Sequence, residues 1–459
     1  MLSAASTDMS RRTRLASRLL ALNVLCDFQK TGDPVTRILE RQLAEIKVDS
    51  RDAQLARALI FGILRQQQYL DYIIGRFSRH PVTKMKPRTL IALRIGVYQL
   101  LLMDRIPASA AVNETVNAFK AGRQPTWLVR FVNGVLRSVV RELSQLPQPG
   151  RERVNGNPVL NHPKWLVRKW VQLFGREKTY NICRVNNEPP PLTLRVNTTL
   201  IDQKQLVAKL TYGGRVELGK YCATALVLPD FRGEVAGLFG YEEGYFAVQD
   251  EAAQLATGLL SLKENGRYLD GCAGVGGKTG HLAALLPPGG QLTAIEPEKK
   301  RFRLLGENLH RLKVSGVVTM HMNLAEFTDK TDEQYDGILL DVPCSGTGVI
   351  RRRPDIRWNR LPEDLQSRQK QQLQLLRTVI PLLKEDGIIV YATCSLEAEE
   401  NSEVIDAFLA EHGEFILEDA RRFLPPAAEH LVTAEGYFQP TPDQGLDGFF
   451  AARLRRRGV

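Results

Sequence analysis

Two cysteines in this sequence stand where chemistry is often done. Each closes an apolar run, GILLDVPCSGTG and GIIVYATCS, so that Cys344 and Cys394 lie just past the carboxyl ends of two expected strands. Open α/β sheets bind their ligands at those ends. If the strands are neighbours, both thiols face one pocket although fifty residues separate them. Isolated cysteines are ordinarily small buried hydrophobes, and Cys26, Cys183 and Cys222 are read that way. A strand-end pair, one member following Asp341-Val342-Pro343, points instead to a thiol that attacks and a group that assists it. Thiolates add readily to electron-poor carbons. Carbon 5 of a cytosine becomes nucleophilic only after such an addition at carbon 6, and once it is alkylated a base must remove its proton. Asp341 is placed to contact the N3/N4 edge of that base and to stabilise charge as the adduct forms. The run LEAEENSEVIDAFL after Cys394 predicts a helix amino terminus near its sulfur, which would lower the thiol pKa. The residues alone do not decide which thiol attacks.

A second constellation is the turn Leu269-Asp270-Gly271-Cys272-Ala273-Gly274-Val275-Gly276-Gly277-Lys278-Thr279, set between an expected strand and helix. Small residues there let a ligand approach the backbone. A phosphate-cradling P-loop needs glycine where Cys272 stands, and G-x-G-x-x-G fails because Gly280 comes one place late. The spacing Asp270-x-Cys272-x-Gly274-x-Gly276 instead fits the turn of a methyltransferase. Glu296 closes the next strand, where a carboxylate can accept from ribose hydroxyls. A nucleoside-bearing cofactor is expected.

These residues need a sheet to hold them. RYLDGCA, QLTAIE, VVTMHMN, YDGILLD and GIIVYAT read as strands separated by helical segments, which predicts a mostly parallel, doubly wound α/β domain. Upstream, Arg11 to about Leu143 is helical almost throughout, with breaks at Gly32-Asp33-Pro34, Pro81, Pro107 and Gln124-Pro125. That is an all-α bundle, and Arg11, Arg12, Arg51, Arg57, Arg65 and Arg137 are expected on its exposed faces, available to RNA. SQLPQPGRERVNGNP reads as a linker. Two short helices and the strands PLTLRVN and ALVLPD then form a small α+β module, and YFAVQDEAAQLATGLL a strand feeding a helix. The expected division is 1–145 for the bundle, 146–238 for linker and module, and 239–459 for the α/β domain. The tail RLRRRGV is assigned no element.

Composition sets outer bounds. A chain of 459 residues exceeds one compact core. Lysine and arginine outnumber aspartate and glutamate 62 to 51, a net charge of +11 that favours an acidic partner. No run is long and apolar enough to span a bilayer, no leader with a small-residue cleavage site is present, and a cytoplasmic protein is expected. Six dispersed cysteines without C-x-x-C pairs argue against a disulfide framework or a metal site.

Taken together, PCSGTG, ATCS, the C-A-x-x-G-G-K-T turn, VQDEAAQLA and DGFFAARL resemble the RNA cytosine-5 methyltransferases, most closely the bacterial Fmu/Sun type that modifies small-subunit ribosomal RNA. MDRIPASAAVNETV and FVNGVLR make the bundle similar to the NusB-like RNA-binding domain of that type. The resemblance implies S-adenosylmethionine as cofactor, 16S ribosomal RNA as substrate, a Rossmann-like class I fold, and no metal, membrane or obligate protein partner. It also implies an order for the thiols, with Cys394 as nucleophile and Cys344 assisting release. Cys272, Ala273, Gly274, Val275, Gly276, Gly277, Lys278, Glu296, Asn323 and Asp341 would line the cofactor site. Val275 replaces a usual proline and Asn323 a usual aspartate. Valine should preserve the turn, and the asparagine oxygen can still accept from an adenine amino group. RRRPDIRW, carrying Arg351, Arg352, Arg353 and Arg357 beside Trp358, is expected to contact phosphates and stack on RNA. A non-catalytic RNA-binding or assembly factor on the same fold is the alternative, disfavoured by the presence of both cysteines and Asp341. A nucleotide-hydrolysing enzyme gripping phosphate with Gly277-Lys278-Thr279 is a third reading.

Overall fold

The computed structural model describes residues 2–46, 48–154 and 156–458, with side chains from Ser17 onward. Arg11 and Arg12 lie outside the described side chains. The chain divides into two compact units, Met1–Glu188 with Arg353–Asn359, and Pro189–Arg352 with Arg360–Val459. No described helix is long and apolar enough to cross a membrane.

The first unit is helical: Leu2–Thr31, Val35–Glu45, Ser50–Arg65, Gln67–Phe77, Pro87–Leu102, Ala108–Ala121 and Thr126–Arg141, followed by Lys164–Phe174 and Arg176–Asn186. Pro34, Pro107 and Pro125 stand at amino caps and Pro87 in a first turn, where a missing N–H costs nothing. Aliphatic faces carrying Leu20, Leu59, Ile63, Leu93 and Leu136 close the core. AQLARALIFGILRQQQYLDYII, one uninterrupted pattern in sequence, breaks at Gln66. There the distant Asn161 accepts from Tyr69 N at 3.0 Å and donates to Gln66 Oε1 at 3.0 Å, so a tertiary contact caps the new helix. The stretch 144–158 packs on this unit through the buried Leu146 and a Tyr69 hydroxyl donating to Pro147 O at 2.9 Å. Arg51, Arg57 and Arg137 are exposed, and Arg65 is half-buried.

The second unit opens with a four-stranded antiparallel sheet in the order Glu217–Leu218, Ala225–Leu228, Leu192–Val196, Phe246–Val248, and the last strand feeds the helix Glu251–Gly258 as expected. The main sheet has seven strands: β1 (Arg267–Asp270), β2 (Gln291–Ile295), β3 (Val317–Met320), β4 (Tyr335–Asp341), β5 (Leu383–Thr393), β6 (Phe415–Glu418) and β7 (Phe450–Arg456). Their order across the sheet is β6-β7-β5-β4-β1-β2-β3. The five parallel strands are the five expected. The central β4 and β5 are buried on both faces, as Ile338, Leu339, Leu340, Ile389, Val390 and Tyr391 demonstrate, which is why they read as continuous apolar runs, whereas β3 lies at the sheet edge with Val318 exposed. β7 runs antiparallel to both β5 and β6. The basic tail is therefore not featureless: Arg453 and Arg455 lie on β7 and donate to the two oxygens of Glu418 on β6, at 2.8 and 3.1 Å.

Candidate active site

β4 and β5 pair in register, Leu340 opposite Tyr391 and Asp341 opposite Ala392, so the chains leaving them travel together. Cys344 Sγ and Cys394 Sγ end 3.3 Å apart. Beneath them sits a buried carboxylate that the sequence did not single out. Glu400 accepts from Ser345 N at 2.7 Å and Ser345 Oγ at 2.5 Å, and from Ser395 Oγ at 2.6 Å and Gln372 Nε2 at 3.3 Å. Since Ser345 and Ser395 directly follow the two cysteines, one carboxylate fastens both loops. Gly348 N donates to Cys394 O at 2.9 Å and Gly448 N to Gly348 O at 2.9 Å. A Cβ on Gly348 would lie 2.1 Å from Gly448 O, which accounts for the glycines in PCSGTG and DGFF. The helix expected beside Cys394 begins only at Ser402, with Asn401 as its cap, so a helix amino terminus does not immediately follow that sulfur.

The charge near the thiols comes from Lys278. Its Nζ donates to Asp341 Oδ2 at 2.6 Å and lies 5.0 Å above the Phe449 ring. Burial alone would push this ammonium down, but Asp341, with smaller help from Cys394 and Asp270, outweighs it and holds the group above its ordinary pKa. The Cys344 thiol is pushed well up by its hydrogen bond to Cys394, then by burial, and then by the charges of Cys394, Glu400 and Asp341. Cys344 therefore keeps its proton at neutral pH and can donate it toward the Cys394 sulfur.

The glycine turn follows β1. Gly274 and Gly276 adopt positive φ of 57° and 88°, and Gly276 N bonds Ala273 O at 2.9 Å, delivering the chain into the helix Gly277–Leu285. A Cβ built on Gly274 or Gly277 would meet nothing within 4 Å, so the backbone there is open to a ligand. Val275 is 44 % exposed on the same turn. Asp270 braces it from below, accepting from Thr279 Oγ1 at 2.7 Å, and burial pushes its pKa up to about 6. Burial, followed by the charges of Asp270, Asp341 and Glu296, pushes the Cys272 thiol up and keeps it neutral. Glu296 Oε1 accepts from Glu298 N at 2.7 Å, leaving the other oxygen for a ligand hydroxyl. Asn323 Oδ1 accepts from Glu326 N at 2.8 Å, capping the helix Leu324–Lys330, so only its second lone pair and its amide donor remain for an adenine edge. An open turn at a helix start, with an acid closing the next strand, fits a nucleoside-bearing cofactor.

Residues 257–455 match the family described as 16S rRNA methyltransferase RsmB/F, residues 15–141 the NusB family, and residues 162–232 the ferredoxin-like domain of RsmF/B-like methyltransferases. The chain is 33 % identical over 448 residues to the probable ribosomal RNA small subunit methyltransferase B of Bacillus subtilis, covering 96 % of this chain and 99 % of that protein. The chain belongs to the RsmB/F methyltransferase family. Its fold is that of the crystal structure of PH0851, with a TM-score of 0.77 at 23 % identity over 97 % of this chain and 98 % of that one. It is also similar, at a TM-score of 0.57 and 22 % identity over 65 % of this chain and 99 % of the other, to the crystal structure of NSun6 from Pyrococcus horikoshii with SFG. RsmB/F enzymes methylate ribosomal RNA, and the cofactor is S-adenosylmethionine.

The structure also corrects the expectation for RRRPDIRW in this RsmB/F chain. Of the arginines in RRRPDIRW, Arg353 is the exposed one. Arg352 donates to Asp447 Oδ2 at 2.6 Å and Asp250 Oδ2 at 2.9 Å, tying VQDEAAQLA to DGFFAARL. Arg357, 1 % exposed, donates to Asn161 O, Asn187 Oδ1 and Asn186 O at 2.9, 2.6 and 2.8 Å, and Trp358 Nε1 to Leu64 O at 2.7 Å. The terminal guanidinium nitrogens of Arg357, the Arg352 fork and the Trp358 indole N–H are taken by protein acceptors, and Arg357 Nε is buried, so Arg352, Arg357 and Trp358 are structural and not a phosphate or stacking surface. Glu400 was missed because its acidic run reads as an ordinary helix start; the serine after each cysteine was the available signal.

Proposed function

We propose that this protein methylates carbon 5 of a cytosine in 16S ribosomal RNA through a covalent bond between Cys394 and carbon 6. The 3.3 Å approach of two thiols at the ends of adjacent parallel strands carries the reading. Cys394 is taken as the attacking group, as the resemblance to the RNA cytosine-5 methyltransferases implies, with its partner Cys344 holding a proton. Asp341, fixed by Lys278, orients the base edge by accepting from its amino group, and the Lys278 ammonium offsets the negative charge that develops as sulfur adds. The turn Cys272–Lys278, with Glu296, Asn323 and Asp341, would hold S-adenosylmethionine, which when bound supplies an electrophilic methyl group for carbon 5. Formation of the adduct turns the Cys394 sulfur into a thioether. That removes the largest cause of the raised Cys344 pKa, so Cys344, which is not fully buried, releases its proton to solvent more easily at the stage when a base is wanted. Its thiolate then takes the carbon 5 proton, the C6–S bond breaks, and Cys394 leaves as thiolate. The bundle 1–145 and the module within 146–238 are read as additional RNA-binding parts of the enzyme, and 239–459 as its methyltransferase domain.

The test is to incubate the protein with S-adenosylmethionine and ribosomal RNA containing 5-fluorocytidine, whose fluorine blocks proton removal. A denaturation-resistant complex is expected from the wild type and none from Cys394→Ser. Cys344→Ser with ordinary RNA should accumulate the complex. An adduct that survives Cys394→Ser but not Cys344→Ser would overturn the assignment.

A further inference from the structure

One buried cation in the second unit has no acid beside it among the described residues. Arg195, on the strand Leu192–Val196, is 3 % exposed, and among the described residues its side chain donates from Nε to Gln249 Oε1 at 2.6 Å. Desolvation is the sole influence on it and lowers its pKa to about 10, so it remains charged at neutral pH. A buried guanidinium without a carboxylate is costly, because the interior replaces water poorly around a charge. Its place is nevertheless fixed. Two residues on, Asn197 Nδ2 donates to Leu312 O at 2.9 Å and Gly244 O at 3.1 Å, pinning the strand to the α/β domain.

Around this cation the neighbouring polar atoms are also left unmatched. Gln249 is 7 % exposed, and its amide is oriented by the bond it accepts, which leaves Nε2 without a partner. His281, likewise 7 % exposed, has an unpartnered Nδ1. Burial, then Arg195, then Lys278 hold its pKa well down, so the ring is neutral and can offer a hydrogen. Arg195 Nη2 lies 3.8 Å from where a Cβ of Gly280 would be, on the helix that carries Lys278. The carboxylate on Lys278, Asp341, is already paired with that ammonium. A guanidinium, an amide N–H and an imidazole thus share one buried region with nothing negative to satisfy them.

We propose that Arg195, Gln249 and His281 form a binding site for one singly charged oxyanion brought by a substrate. Two sources have this chemistry, a backbone phosphate of the RNA and the carboxylate of S-adenosylmethionine. The cationic fork of Arg195 suits either, with the amide and imidazole completing the donor set. The inference rests on ribosomal RNA being the substrate but not on which base atom is methylated.

The test uses the full chain with Arg195→Gln and Arg195→Lys. S-adenosylmethionine binding is measured by calorimetry, and ribosomal RNA binding across a salt series without turnover. Arg195→Gln should lose at least tenfold in affinity for one ligand, with partial recovery in Arg195→Lys. If RNA is the source, the slope of log affinity against log salt should shallow by about 0.7 to 0.9 while cofactor binding holds. If the cofactor is the source, that slope stays fixed and cofactor binding weakens. The unliganded Arg195→Gln protein should melt no lower than wild type, since a cation without a counter-ion has been removed. Unchanged affinity for both ligands, or a loss that tracks a lower melting temperature and is not recovered by lysine, overturns the proposal. Wild-type RNA binding without carbon 5 methylation would count against the proposed reaction alone.

Discussion

At the scale of single residues, the two cysteine loops are fastened to one another by a buried carboxylate beneath the thiols. Glu400 collects donors from Ser345 and Ser395 in the interior, so truncating it would strand an amide and two hydroxyls. Glu400→Ala is expected to lower stability by about 3 kcal/mol and to cut turnover sharply, with cofactor affinity nearly unchanged. Chemical denaturation and calorimetry check the two halves separately. Asp270 gives a pH signature. Its folded pKa of about 6 lies above the ordinary 3.8, so the folded state binds more protons between those values. Its contribution is therefore most favourable at low pH and is lost as pH rises from about 4 to about 6, on the order of 3 kcal/mol in all. The difference in unfolding free energy between wild type and Asp270→Asn, followed across that window, should show this fall. A flat difference would remove the assigned cause.

At the scale of elements, the site depends on two loops touching where only glycine fits. Gly348→Ala would drive a methyl group into the Gly448 carbonyl, and a loss of about 3 kcal/mol together with activity is expected. Gly277→Ala is the contrasting case. Its Cβ meets no protein atom, so the melting temperature should hold while S-adenosylmethionine affinity falls, as read by calorimetry. The same comparison explains what was legible. β1 to β5 could be read because each is a short apolar run set between helical segments, in β4 and β5 through burial on both faces. β6 and β7 could not, since FILE is short and FAARLRR carries arginines whose counter-charge on Glu418 lies on another strand. The helix break at Gln66 was hidden for a similar reason, its cap being Asn161.

At the scale of the whole molecule, the first unit is not contiguous in sequence. Arg353–Asn359 belongs to it although these residues follow the Cys344 loop. Arg357→Ala would leave Asn161 O and Asn186 O, both buried, without their donor. The expected result is a loss of about 2 to 4 kcal/mol in the unfolding of that unit. The salt dependence of RNA binding, measured below the transition, should not change. A shallower salt slope at full stability would return Arg357 to the RNA surface.

The sequence by itself determined the local facts: the parallel strands, the glycine turn, the two thiols at strand ends and the helical bundle. Each is written in neighbouring residues through hydrophobic period, backbone freedom or side-chain chemistry. Which arginines are free to meet RNA was decided only by tertiary structure, because a guanidinium is equally basic whether its partner is solvent, Asp250 and Asp447, or a backbone carbonyl. The same holds for the pairing of β4 with β5, which alone brings the two sulfurs to 3.3 Å, and for Glu400, whose role exists only once both loops reach it. Side-chain type is a local property, whereas burial and partnership are properties of the folded chain.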